Sequence, residues 1–399
     1  MRSHEKESAL ASITGLSPRG LPKEFVGQTG HGVATINVPH ALTPNHSLNE
    51  ILMYARWMQA SDVHICAGYP IIMRKFGSLK VATQTPVTAE RVQTIIRKEL
   101  RGDLVAEFEK TGDLEFVHSI TGAGRFRLTL IKQRNGWELT ARLITSSIPK
   151  FESTGMPKSC EELTKWAQGL VLVTGPVGCG KSTTLATLVE MINQTRDDHI
   201  ITIENPIEIV YTAKKCQITQ REVNLHTTSQ ANALRAALRE DPDILVVSEL
   251  RDLESIQLAV SAAETGHLVF GTMNTNNASQ TISRVIDSFP SDEQSIIRNM
   301  ISESLRGIIS QQLIPKKDGT GVIPAYEILV VNSAISNLIR GGKTTQLTNA
   351  ITTGRSSGMI LLDHSLDELV QKGLISGQEA FERAISPMNF TKYLNTPAG

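Results

Sequence analysis

Little in this 399-residue sequence would tie it to a membrane, an oxidising compartment or a nucleic acid. It has no run of about 18 apolar residues, so no segment is expected to span a bilayer as a helix. The stretch from Met1 to Leu10 is charged and lacks the apolar core of a secretory signal. Cysteine is scarce. Cys66, Cys160, Cys179 and Cys216 are scattered with no C-x-x-C pair, which argues against a disulfide framework or a zinc knuckle and for a reducing cytoplasm. Aromatic residues make up only 5%, and 40 Lys and Arg balance 40 Asp and Glu. Neither a base-stacking platform nor a wholesale basic footprint is available, so nucleic acid is not expected as a partner. What remains is the composition of a globular protein, 40% hydrophobic and 20% charged, long enough for two domains or three small ones.

Against this plain background one stretch is specific. Gly175-Pro176-Val177-Gly178-Cys179-Gly180-Lys181-Ser182 reads G-x-x-x-x-G-K-S, the phosphate-binding P-loop. Leu170 to Thr174 before it is an apolar, β-branched run suited to a buried strand. Ser182 to Asn193 after it reads as a helix with Leu185, Leu188, Val189 and Ile192 on one face. Glycine can take dihedrals that side chains forbid, so backbone N–H groups can turn inward, and the following helix aims its positive end at the same spot. The loop and the first helical turn, Gly175, Pro176, Gly178, Cys179, Gly180, Lys181, Ser182 and Thr183, are therefore expected to hold the phosphates of ATP. Lys181 would reach the β- and γ-phosphates, and the Ser182 hydroxyl would ligate Mg²⁺.

Around this loop the chain divides by composition. Residues 1–42 are rich in Ser, Gly, Pro and His with weak periodicity and read as a flexible arm. Residues 43–147 read as a mixed α+β domain. Ser47-Leu48-Asn49-Glu50 is a capping box opening a helix to Gln59, and helices are expected near Ala89 to Arg97 and Leu104 to Lys110. Strand-like pieces run from Val63 to Cys66, Ile71 to Lys75, Leu79 to Ala82, Leu114 to Ser119, Arg125 to Gln133 and Glu138 to Ile144, the last two joined by an Asn135-Gly136 hairpin signal. Arg125, Arg127 and Arg142 are either solvated charges on strand faces or reach a phosphate across a domain or subunit boundary. Residues 148–162 read as a linker, and 163–399 as the P-loop domain with C-terminal helices.

In that last domain strands and helices alternate. Strands are expected at Ile200 to Ile203, Ile244 to Val247 and His267 to Met273, and helices at Ala231 to Arg239 and Leu253 to Glu264. Ser291 to Gln294 is expected to cap a long helix running to about Leu313. The alternation predicts an α/β fold with a mostly parallel sheet covered by helices on both faces. Ligands bind such sheets at the carboxyl ends of strands. Three strands end there in polar residues: Glu204, Glu249, and the loop Asn274 to Asn276. Hydrolysis needs an acceptor to orient and deprotonate water, and a carboxylate near Mg²⁺, roles that Glu204 and Glu249 would fill.

The assembled segments resemble a known family, the secretion-type ATPases that drive type IV pili, type II secretion and related machines. The resemblance is carried by Gly169 to Leu185, Ile201 to Glu208, Gln220 to Val223, Ala233 to Asp243, Glu249 to Glu254 and Ala262 to Thr272, with Ala60 to His64 and Gly124 to Arg127 ahead of them. It implies a PAS-like N-terminal domain followed by a RecA-like ATPase domain, a ring of six subunits, and nucleotide held between the two domains. It also implies that Glu204 is the general base, that Glu249 holds the metal or its water, that His267 is a catalytic His-box histidine, and that Arg125 and Arg127 meet the nucleotide phosphates. Ala334 to Arg340 is similar to a motif of the pilus-retraction branch, whose partner is a platform protein of the inner membrane. That places the expected work on the cytoplasmic face of that membrane.

The sequence departs from the family pattern at Asn205, Ser248, Asn274, Ser336 and Gly341. Asn274 stands where the family has a second histidine; it can hydrogen-bond but cannot titrate. The expectation is altered turnover or coupling with both acids intact. The rival reading is a low-turnover subunit paired with a paralogous retraction ATPase.

Overall fold

The computed structural model describes residues 25–29, 32–36, 39 and 41–394, apart from 101, 122 and 145–147. The chain forms two compact units that divide after Ser146. Phe25–Thr29 (β1) and Gly32–Ile36 (β2), in the stretch with little sequence periodicity, pair antiparallel as a two-stranded ribbon. The rest of the expected arm lies outside the described residues.

The first unit is a six-stranded antiparallel sheet built from Asp62–Cys66 (β3), Ile72–Lys75 (β4), Ser78–Val81 (β5), Asp113–Ile120 (β6), Gly124–Gln133 (β7) and Gly136–Leu143 (β8), in the order β5-β4-β3-β8-β7-β6. The capping box forms: Ser47 accepts from the Glu50 N–H, Glu50 reaches back to the Ser47 N–H, and the helix Leu48–Trp57 follows. The hairpin signal is honoured one residue early, with Gln133 paired to Gly136 across Arg134 and Asn135. Phe126, Leu128 and Leu130 alternate into the core with Trp137, Leu139 and Ala141 of the neighbouring strand. The helices Leu48–Trp57, Ala89–Glu99 and Gly102–Thr111 supply the rest of that core. The opposite sheet face keeps its polar residues, as a one-sided antiparallel sheet should.

The second unit holds a seven-stranded sheet. Its strands are Gly169–Thr174 (β9), His199–Glu204 (β10), Gln217–Glu222 (β11), Ile244–Val247 (β12), Leu268–Met273 (β13), Leu305–Pro315 (β14) and Val322–Val330 (β15), ordered β11-β10-β12-β13-β9-β14-β15. Every pairing is parallel except β14 with β15. The continuous apolar runs follow from burial on both faces: Leu245 and Val247 enter one core, Ile244 and Val246 the other. The helix Lys181–Thr195 covers one face with Leu185, Leu188, Val189 and Ile192. The other face is covered by Gln230–Ala237, Leu253–Glu264, Ala278–Asp287, Gln294–Ser304 and Ser333–Arg340. Within the second unit, Met156 and Cys160 of the expected linker pack into the core that also takes the apolar face of the helix Lys181–Thr195. Among the described residues no helix is long and apolar enough to cross a membrane.

The longest departure from the sequence expectation is a helix that ends early. The helix after Ser291 stops at Ser304, and Leu305, already extended, opens β14. Tertiary context overrides local propensity here. β14 is clasped between β9 and β15, and a side chain at Gly307 would come within 2.8 Å of Leu163. The edge strand β11, with the sequence QITQRE, also went unanticipated, because it lacks an apolar alternation.

Candidate active site

The strand ends assemble the site. The P-loop leaves β9 at Gly175, whose φ is +143°; a Cβ there would lie 2.3 Å from the Gln311 carbonyl and 2.5 Å from the Cys179 sulfur. Only glycine fits so tight a passage. Gly178 and Gly180 have φ of +79° and +91°, and Gly180 is the residue from which the helix Lys181–Thr195 starts. Pro176, Val177, Gly178 and Ser182 are exposed, Thr183 is half-buried, and Cys179 is buried beneath the loop. The rim is therefore open where phosphates would enter. Lys181 Nζ donates to the carbonyls of Gly175 at 2.8 Å and Pro176 at 3.0 Å. Burial pulls its ammonium below the usual lysine range, and the Glu249 carboxylate acts to hold it up. A partly desolvated cation on the first turn of a helix that starts from a glycine loop suits a polyphosphate.

The loop is held from behind by a residue of the stretch expected to be helical. Gln311 on β14 is buried; its Nε2 donates to the Cys179 carbonyl at 2.6 Å and its Oε1 accepts from Thr184 Oγ at 2.6 Å. Beside it, Ser310 and Thr174 share a 2.7 Å hydroxyl contact between β14 and β9. The available signal was a polar Ser-Gln pair inside an apolar run, which marks a buried polar group needing partners.

Glu249 follows β12. It accepts from Asn274 Nδ2 at 2.5 Å through one oxygen and from Arg251 at 2.5 Å through the other, and its carbonyl accepts from Gln230 at 2.8 Å. Asn274 thus sits at the site, at the carboxyl end of β13. Glu204 ends β10. It shares the sheet face of the helix Lys181–Thr195, because Ile200, four residues earlier, packs there and side chains alternate along a strand. Three inter-strand spacings, about 14 Å, separate β10 from β9. Glu204 accepts from Thr202 at 2.7 Å and Gln220 at 3.0 Å. Burial lifts its carboxyl above the ordinary range against these two donors, and Glu208 adds to the lift. A carboxylate raised in this way is a better base.

His267 lies apart from these residues within the protomer. It precedes β13 at the amino end of the sheet, whereas the P-loop lies at the carboxyl end of the paired strand β9. The six-residue strand between them spans about 20 Å. Its Nδ1 lies 3.1 Å from the Ala262 carbonyl, a contact that finishes the helix Leu253–Glu264. Within the protomer His267 is a helix-end partner outside the cluster. Arg125 and Arg127 belong to β7 of the first unit, not to the P-loop unit. Arg127 pairs with Glu115, while Arg125 has Nε and Nη1 shielded from water with no hydrogen-bond partner. Among the described residues no cluster of three or more His, Cys, Asp or Glu could hold a metal by itself. A Mg²⁺ here would need oxygens from a nucleotide alongside Ser182 and Glu249.

The chain is similar to known proteins. A family model described as type II/IV secretion system protein matches residues 42–371. The chain is 45% identical to the type IV pilus retraction ATPase PilT of Pseudomonas aeruginosa, over 86% of this chain and 99% of that protein. It is 35% identical to the type IV pilus ATPase PilU of the same organism, over 82% of this chain and 85% of that protein. The solved structure of the pilus retraction motor PilT with bound ADP superposes with a TM-score of 0.76 at 40% identity, covering 86% of this chain and 99% of that one.

Proposed function

This chain belongs to the type II/IV secretion system protein family, and from that premise we infer that it is an ATP-hydrolysing motor powering type IV pilus retraction. The observation that carries the reading is the P-loop of Gly175 to Ser182 set beside Glu249 at the carboxyl edge of a parallel sheet. The identity to the retraction ATPase over nearly its whole length, higher than to PilU, supports the retraction role. In this reading the second unit is RecA-like and the first PAS-like.

The roles follow from the chemistry. Backbone amides of the loop and the Lys181 ammonium bind the β- and γ-phosphates, with Thr183 close behind in the first helical turn. Ser182 and Glu249 would hold Mg²⁺, which would neutralise charge on the phosphate oxygens. Glu204 takes the proton of the attacking water. Arg125, with two buried donors unspent, meets phosphate, with Arg127 beside it on the strand. Six copies form the ring, which passes movement to a platform protein at the inner face of the cytoplasmic membrane; a paralogous retraction ATPase is a further partner.

The test is Glu204→Gln. The variant keeps its ATP affinity and loses turnover by about a hundredfold or more in a steady-state phosphate-release assay. A variant hydrolysing at the native rate overturns the assignment of the base.

A further inference from the structure

Glu204 is held by two side chains to which its reading as general base assigns nothing. Thr202 is fully buried on β10 between Ile201 and Ile203, and its hydroxyl donates to Glu204 Oε1 at 2.7 Å. Gln220 on β11 donates from Nε2 to the same oxygen at 3.0 Å and to the Ile209 carbonyl at 2.9 Å, while its Oε1 accepts from the Tyr211 N–H at 2.9 Å. This pattern fixes the amide's orientation. Turned over, it would set its NH₂ against an N–H and its oxygen against a carbonyl and a carboxylate. Nε2 is therefore an obligatory donor to Glu204.

We propose that Thr202 and Gln220 are positioning residues for Glu204, holding its carboxylate in the acceptor form and coupling it to the loop between β10 and β11. The inference rests on Glu204 being the base. Both donors converge on one oxygen, so a proton resting there would oppose both at once. The titratable groups facing Glu204 offer no help. Glu208 repels it, the Tyr211 phenol faces both it and Glu190, and Glu222, its register neighbour on β11, accepts from the Ile207 N–H. Two neutral donors, with the Glu208 backbone N–H, thus oppose the burial that favours protonation. Because Gln220 also grips the chain at 209 and 211, a shift of that loop changes how firmly the base is held.

The experiment is the pH dependence of kcat for the full-length protein and for Thr202→Val, Thr202→Ser and Gln220→Leu. Losing a donor to a charged acceptor is worth about one pH unit. The acidic limb is expected to move up by about that much in Thr202→Val and in Gln220→Leu, and to return in Thr202→Ser, which restores the hydroxyl. If Gln220→Leu fails to fold, the near-isosteric Thr202→Val and its serine counterpart decide alone. Unmoved limbs in folded variants overturn the positioning role. Glu204→Gln separates the two claims: if it is slow while the limbs stay put, only the positioning falls; if it runs at the native rate, both fall.

Discussion

At the carboxyl end of the parallel sheet, β9, β10, β12 and β13 release the chain into Gly175, Glu204, Glu249 and Asn274; at the amino end the same strands begin beside Gly169, His199, Asp243 and His267. Both ends carry charged and titratable residues, and they use them differently. At the amino end most of these groups finish on backbone: Asp243 accepts from the His199 N–H at 2.8 Å, His267 meets the Ala262 carbonyl, and Arg306 donates to the Gln168 carbonyl at 3.1 Å, while the His199 ring also meets the Thr219 hydroxyl at 3.1 Å. At the carboxyl end the two carboxylates finish on side chains, Glu249 on Asn274 and Arg251, and Glu204 on Thr202 and Gln220. A side chain bonded to backbone fastens the fold. A carboxylate bonded to other side chains can exchange those partners for a ligand without unfolding a strand. Residue type alone does not separate the two kinds; strand direction does.

Three substitutions would break or sharpen that contrast. The largest effect is expected from Lys181→Ala. It should lower hydrolysis by more than about a hundredfold, since it removes the charge facing the phosphates. Thermal stability should be nearly unchanged, because Lys181 bonds only its own loop. A full hydrolysis rate in this variant would undo the carboxyl-end reading. Gln311→Ala comes next. It strands the Cys179 carbonyl and the Thr184 hydroxyl, and by urea denaturation should lose about 2–4 kcal/mol, with ATP bound roughly tenfold more weakly. A loss of stability with affinity untouched would make Gln311 a fold residue only. The smallest effect belongs to His267→Ala. Removing one backbone contact should lower stability by about 1 kcal/mol and leave kcat within about twofold; a tenfold fall in kcat would show that the amino end also serves catalysis.

The sequence disclosed what local chemistry encodes. The P-loop glycines, the helix face of Leu185, Leu188, Val189 and Ile192, and the strand-terminal acids Glu204 and Glu249 all follow from spacing and alternation, and all lie where that reasoning put them. It failed where partners far along the chain decide. Leu305–Pro315 is set off from the preceding helix only by the weak signal of Gly307; pairing with β9 and β15 makes it a strand, and that pairing brings Gln311 under the P-loop. His267 entered through the family resemblance alone, and within the protomer a whole strand stands between it and Asn274. The glutamine that orients Glu204 sits on an edge strand whose polar sequence hid it.

Asn274 carries one last consequence. An imidazole touching Glu249 would gain and lose charge across the mild acidity that cells meet under stress, and the strength of its grip would follow. A carboxamide has no such response: its donor is the same at pH 6 as at pH 8. Through the Asn274–Glu249 contact, then, a dip in internal pH leaves the force generator's hold on its acid unaltered.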